Sequence, residues 1–199
     1  MQKDMDYLYS LRKYIVLATL IFIVSLIMGL MIPDPRLAED FDMLKKLAGL
    51  IKGLEPPELQ MIVLLSLIFF NNALKSLMAI VLGIGFGLFP LYLIIYNGKV
   101  LGFVVDIFSK QQGILFVVAA VLPHGIIEVP VVLISSGIGF RLGYVTYLSL
   151  KSGRLIEGIK PELKQGMKFY FRRIVPLLFV AAIIETFVTP AIAAIFMKN

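Results

Sequence analysis

The sequence predicts an all-α fold, a polytopic transmembrane helical bundle of about five spans, and two observations support this class. Hydrophobic residues make up 59% of the 199 residues and charged residues only 16%, whereas soluble domains have about 45–50% apolar and about 25% charged residues. Several stretches also reach the roughly 20 apolar residues that one membrane crossing needs. We therefore expect one membrane domain over residues 1–199 rather than a water-soluble globule.

The boundaries of the spans follow from charges, prolines and glycines. The first span has no charged residue and ends at Pro33-Asp34-Pro35. The apolar run 59–108 is about twice as long as one crossing, and its glycine-rich segment 83–87 divides it in two. The predicted spans are residues 14–32, 60–82, 88–108, 113–134 and 172–196.

The stretch 113–150 has two interpretations, because it is too long for one straight span and short for two. It forms either one kinked span, 113–134, followed by an interfacial segment, or a short helix followed by a full span, 126–150. Cytoplasmic loops collect Lys and Arg, and both the N-terminus and the segment 151–173 are basic. Four crossings would place both in the cytoplasm. This favours five spans over six, in the cell membrane with a cytoplasmic N-terminus.

Two amphipathic segments, 37–54 and 151–171, are expected to lie on the outer and inner membrane surfaces respectively. The net charge of +6 suits anionic lipid headgroups better than nucleic acid, because the basic residues flank apolar spans. The expected partner is therefore the lipid bilayer, with no nucleic acid. Arg141, Arg172 and Arg173 are the predicted headgroup contacts.

Polar residues recur near the middle of the inner spans, where a charge costs about 2.5–3.5 kcal/mol on insertion scales. Several such residues are unfavourable on a lipid-facing surface, so we expect spans two to five to surround a shared polar centre, with span one outside them. Lys75 either pairs with a glutamate there or extends to an interface. The predicted centre consists of Asn71, Asn72, Lys75, Asn97, His124, Glu128 and Glu185.

The sharpest cluster is the run from Pro123 to Pro130. His124 and Glu128 are four residues apart, so they share a helix face. Pro123, Gly125 and Pro130 are predicted to break the helix in mid-membrane, since a proline ring and its missing N–H interrupt helical hydrogen bonding.

The His124–Glu128 pair has three interpretations: a structural hydrogen bond, an ion or proton site completed by Glu185 and Asn71 or Asn72, and a metal site of His124, Glu128 and Glu185. The chain has no cysteine and one histidine, which argues against zinc hydrolysis because such sites usually use two or more imidazoles. It also lacks a metalloprotease, Walker or serine-hydrolase motif. No catalytic residue is predicted. The one cofactor that these residues suggest is a metal ion.

Three G-x-x-x-G pairs mark expected helix contacts and a compact bundle, with a homodimer or other membrane proteins as further partners. The pairs are Gly83 with Gly87, Gly98 with Gly102, and Gly139 with Gly143.

Several of these residues occur together in a known pattern. The chain has Pro123-His124-Gly125-x-x-Glu128, then Gly137-x-Gly139-x-Arg141-Leu142-Gly143, and Glu185-x-Phe187-x-Thr189-Pro190 in the last span. With Asn71-Asn72 and Asn97-Gly98, this resembles the stage II sporulation protein M family, also called the DUF95 family of integral membrane proteins. The namesake takes part in membrane engulfment during bacterial spore formation. The resemblance implies several spans, a polar centre inside the membrane, and a scaffold or transport-like component.

The favoured hypothesis is a non-enzymatic membrane scaffold or a transport-like component with a buried polar centre. An intramembrane metal-dependent hydrolase is one alternative and needs a metal at His124 and Glu128 with an open position for water. The other alternative is a permease subunit for a separate ATPase, since this chain has no nucleotide motif of its own.

Overall fold

The computed structural model describes residues 2–32 and 34–196, without the side chains of Leu44, His124 and Ala193. Regular structure in these ranges is entirely helical, in agreement with the predicted class. The helices are α1 (Gln2–Met31), α2 (Pro35–Lys52), α3 (Pro57–Val81), α4 (Leu88–Gln112), α5 (Ile114–Lys151), α6 (Leu155–Phe169), α7 (Val175–Ile183) and α8 (Thr189–Phe196). A 3₁₀ turn, Leu82–Ile84, follows α3, and π-helical turns at Tyr170–Ile174 and Ile184–Val188 precede α7 and α8.

Within the described residues, five helical segments are long and apolar enough to cross a membrane, which confirms the predicted number of spans. They are Gln2–Met31, Pro57–Ile84, Leu88–Gln112, Gly125–Lys151 and Leu155–Phe196. The last of these joins the amphipathic helix α6 to the apolar helices α7 and α8 without an intervening loop.

The candidate fourth span begins and ends later in the chain than the predicted 113–134, whose membrane boundaries stay a prediction. The part of α5 long and apolar enough to cross is Gly125–Lys151, and Ile114–Pro123 is a shorter apolar part of the same helix. At 1.5 Å per residue, this shorter part is only about 15 Å long, half the thickness of the hydrocarbon core. It is therefore too short to cross by itself, and how residues 113–124 lie relative to a membrane stays a prediction.

The helix does not break at Pro123. Pro123 and Pro130 both lie inside the continuous helix α5, and Gly125 between them is also helical. Each proline removes only one backbone N–H, and the remaining backbone groups of a membrane helix have no better partner than their own helix. The expected interruption is therefore absent from this part of α5.

Helices α2 and α6 correspond to the two predicted amphipathic segments. The side chain of Asp34 caps α2 by accepting a hydrogen bond from the Arg36 N–H at 3.1 Å, with Pro35 in the first turn. Helix α2 contacts α4 through two side chains: the Tyr96 hydroxyl donates to Asp40 at 2.8 Å, and the rings of Phe41 and Phe103 meet edge to face. The depth of α2 in a bilayer stays a prediction.

Helix α1 was predicted to pack outside spans two to five, and its apolar part is the least buried of the five candidate spans. It packs most extensively against α4 and also contacts α5. A Cβ atom built on Gly98 would lie 2.8 Å from the Phe22 carbonyl oxygen and 2.7 Å from the Ser25 Cβ. Glycine at this position therefore allows the two helix backbones to approach closely, as the G-x-x-x-G spacing predicts.

Candidate functional site

A cavity of about 320 Å³ lies among α1, α3, α4, α5 and the last span, and we call it the polar cavity. Its wall is mostly apolar and includes Phe22 of α1, which the sequence placed outside the centre. The other lining residues are Asn72, Asn97, Val100, Leu101, Val104, Phe108, Ala120, Val121, Glu128, Val129, Val132 and Glu185.

Four of the seven residues predicted to form the centre line the polar cavity. Asn72 comes from α3, Asn97 from α4, Glu128 from α5 and Glu185 from the last span. Glu128 is 5% exposed. The Asn97 amide donates to the Leu93 carbonyl of its own helix at 2.7 Å, which leaves its side-chain oxygen available to the cavity.

Asn71 and Lys75 occupy different positions. Asn71 is exposed and does not line the cavity, because neighbouring residues on a helix point about 100° apart. Lys75 lies one turn after Asn72 on the same helix face and is half-buried. Lys75 is not part of the cavity wall, although the negative charge of Glu128 acts on its ammonium group.

The side chain of His124 lies outside the described residues, so the predicted His124–Glu128 contact stays a prediction. The backbone of His124 is helical and lies one turn before Glu128 on α5. Among the side chains that the structure describes, no three His, Asp or Glu residues are grouped closely enough to hold a metal ion. The metal site of His124, Glu128 and Glu185 likewise stays a prediction.

Glu185 lies in a π-helical turn, which was not predicted from the sequence. The turn Ile184–Val188 separates α7 from α8. Single π-turns inside α-helices occur frequently at functional sites, since the extra residue shifts side chains relative to the regular helix. The signal for this turn in the sequence was Pro190, which has no backbone N–H and lies two residues after the turn ends.

The family model for stage II sporulation protein M matches residues 18–190, a range that includes all four polar residues of the cavity. The chain belongs to the stage II sporulation protein M family. This confirms the resemblance found from the sequence motifs.

Two proteins of Methanocaldococcus jannaschii are similar to this family member. The uncharacterized protein MJ0793 is 32% identical over 125 residues, which cover 62% of this chain and 70% of MJ0793. The uncharacterized protein MJ0706 is 33% identical over 134 residues, covering 66% of this chain and 58% of MJ0706. No solved structure gives a significant match.

The basic residues predicted to contact lipid headgroups lie at the opposite end of this family member's bundle from α2. Nη2 of Arg141 is 2.9 Å from Oε2 of Glu162 on α6. Arg172 and Arg173 pair with Asp4 on α1, at 3.4 and 2.8 Å. These arginines therefore have protein partners, and their contact with lipid stays a prediction.

We call this group of charged residues the N-terminal network; it consists of Asp4, Tyr7, Arg141, Glu162, Arg172 and Arg173. It joins the first turns of α1 to α5, α6 and the π-turn after α6. Asp4, Tyr7 and Glu162 were not predicted from the sequence. The signal for Glu162 was its spacing from Gly166 and Phe169, since all three lie on the buried face of α6.

Proposed function

We propose that this chain is a multi-pass protein of the cell membrane that binds a small cation in the polar cavity and acts as a transport-like component. The observation that supports the proposal is the presence of Glu128 and Glu185, with the amides of Asn72 and Asn97, around one cavity. Carboxylate and amide oxygens are the ligands that hard cations prefer. A cation that entered this cavity would meet two carboxylates from two different helices.

The cavity has a polar and an apolar part. Along α4 its lining runs from Asn97 to Phe108, which corresponds to about 16 Å at 1.5 Å per residue. Near Phe108 the lining is apolar, and Ala120 and Val121 of α5 contribute to it. Ionisable groups inside membrane domains commonly mark ion pathways. An ion that entered through the apolar part would meet carboxylates only at Glu128 and Glu185, so this pair would select ions by their charge.

The orientation follows from the distribution of basic residues. The N-terminal network brings the start of α1 to α6, so both belong to the same side of the bundle. Segment 151–173 carries seven of the 19 lysines and arginines, more than any other segment between spans, and such basic loops are retained in the cytoplasm. We therefore place the N-terminus and α6 in the cytoplasm and the C-terminus outside.

Neutral variants of the two carboxylates test cation binding. Glu128→Gln and Glu185→Gln keep the side-chain shape and remove the charge, so we expect both to abolish cation-dependent thermal stabilisation and cation flux in liposomes. The matched control is Glu157→Gln, because Glu157 is exposed on α6 and remote from the cavity. Full binding by the Glu128→Gln, Glu185→Gln double variant would refute the proposal.

A membrane scaffold is the second candidate function, and the N-terminal network favours it. One carboxylate, Glu162, contacts both Tyr7 and Arg141, so α1, α5 and α6 are held in a fixed arrangement. On this hypothesis, Glu128→Gln would change thermal stability or assembly, while wild-type protein in liposomes would show no cation flux. The comparison of wild-type and variant protein thus separates the two functions.

A further inference from the structure

A second cavity, of about 420 Å³, lies between the first turns of α1 and the exposed face of α6. We call it the basic pocket. Lys3, Lys164, Lys168 and Arg172 line it, together with Asp4 as its one acidic side chain. Tyr7, Pro161 and Phe169 supply apolar surface. It lies at the other end of the bundle from the apolar part of the polar cavity and shares no lining residue with it.

The charges of the basic pocket do not cancel. Asp4 already pairs with Arg172 at 3.4 Å and with Arg173 at 2.8 Å. No carboxylate in residues 2–32 or 34–196 forms an ion pair with Lys3, Lys164 or Lys168. Lys164 and Lys168 are also four residues apart on one helix, an arrangement in which like charges repel. An anion between these lysines would relieve that repulsion.

The floor of the pocket is formed by two buried aromatic rings that pack against each other. Tyr7 and Phe169 are 3% and 5% exposed, and their ring centroids are 5.6 Å apart. The Tyr7 hydroxyl donates to Oε1 of Glu162 at 3.1 Å, which fixes the ring from the opposite side. A preformed wall lowers the entropic cost of binding, because fewer side chains must be ordered when a ligand arrives.

We propose that the basic pocket binds the phosphate group of an anionic phospholipid headgroup. Helix α6 runs directly into the last span, so the pocket lies at the membrane boundary, where phospholipid phosphates are concentrated. Lysine binds phosphate as a point charge, and basic residues clustered beside a membrane span attract anionic headgroups. The apolar floor fits the glycerol and first methylene groups next to such a phosphate.

The test uses the purified full chain in detergent and measures retention of phosphatidylglycerol and phosphatidylcholine by native mass spectrometry. The Lys164→Gln, Lys168→Gln double variant should bind phosphatidylglycerol about thirtyfold more weakly, as expected for losing two basic contacts. The matched control is Lys151→Gln with Lys160→Gln, which removes the same charge from exposed positions outside the pocket. We expect the control to bind as wild type.

Two further outcomes decide the proposal. If both double variants lose phosphatidylglycerol equally, or if phosphatidylcholine binds as well as phosphatidylglycerol, the affinity belongs to the general surface and the pocket is not a site. Inorganic phosphate at constant ionic strength serves as the competitor. Phosphate that fails to displace the lipid supports a headgroup site, whereas complete displacement would overturn the lipid assignment and identify a soluble phosphate as the ligand. The Lys164→Gln, Lys168→Gln double variant should unfold at the same temperature as wild type, because both lysines are exposed.

Discussion

Arg141 on α5 and Glu162 on α6 form an ion pair in which Nη2 of the arginine lies 2.9 Å from Oε2 of the glutamate. The second oxygen of the same carboxylate accepts the Tyr7 hydroxyl at 3.1 Å. Arg141 Nη1 also donates to the Ser10 hydroxyl at 2.5 Å. Because the Glu162 side chain is only 8% exposed, water cannot readily replace these partners. One carboxylate thus connects three helices.

Removing the arginine should leave this carboxylate without its ionic partner. We expect Arg141→Gln to lower the free energy of unfolding by about 2–3 kcal/mol, the range for hydrogen bonds to charged groups that become unsatisfied. Thermal unfolding of the purified protein in detergent measures the change. Arg154→Gln is the control, because Arg154 is exposed just before α6. Equal unfolding of Arg141→Gln and wild type would mean that the ion pair contributes nothing to stability.

The sequence predicted the helices well because apolar length and charged boundaries are local properties. The number of spans and the G-x-x-x-G spacing of Gly98 and Gly102 both follow from residues close together in the chain. The Glu162 network did not follow from the sequence, since its partners Tyr7 and Arg141 come from distant helices. Only the packed structure determines which charges meet.

Which residues of the predicted polar centre reach the cavity also depends on helix packing. Asn71 and Asn72 are equivalent in a hydropathy pattern, yet only the rotation of α3 turns Asn72 toward the cavity. Local rules also overestimated the effect of Pro123, because α5 retains helical geometry through it. Proline is tolerated in membrane helices when the freed carbonyl finds other partners.

The contact between α1 and α4 should be sensitive to side-chain size at Gly98. A Cβ atom there would lie 2.7 Å from the Ser25 Cβ, so Gly98→Val must push the helices apart. We expect a loss of about 1–3 kcal/mol, as for overpacked sites, visible as a lower unfolding temperature. Gly49→Val is the comparison, because a Cβ at Gly49 on α2 would have no atom within 4 Å apart from its neighbouring residues and the backbone of its own helix. A stable Gly98→Val protein would contradict the close helix contact.

The five-span topology can be tested directly, since the chain contains no cysteine. A single introduced cysteine is then the only target for a membrane-impermeant maleimide. Ser152→Cys, between α5 and α6, should react only after permeabilisation, whereas Gln111→Cys and Gly49→Cys should react in intact cells. If Ser152→Cys and Gln111→Cys were labelled from the same side, an even number of crossings between them would replace the single crossing of α5.

Filling the polar cavity should block cation binding without changing a carboxylate. Val104 lines the cavity, whereas its neighbour Val105 is half-buried but not part of the wall. Val104→Trp is therefore expected to remove the cation-induced rise in stability, which is about 2.7 kcal/mol for a ligand at a hundred times its Kd. Thermal unfolding with and without cation measures the effect.

Val105→Trp is the matched control for this experiment. It adds the same ring one residue further along α4, outside the cavity wall, and should retain the cation-induced stabilisation. Equal responses from both variants would show that the apolar part of the cavity is not on the route to Glu128 and Glu185. A loss confined to Val104→Trp would separate access to the carboxylates from their charge, because that variant retains both.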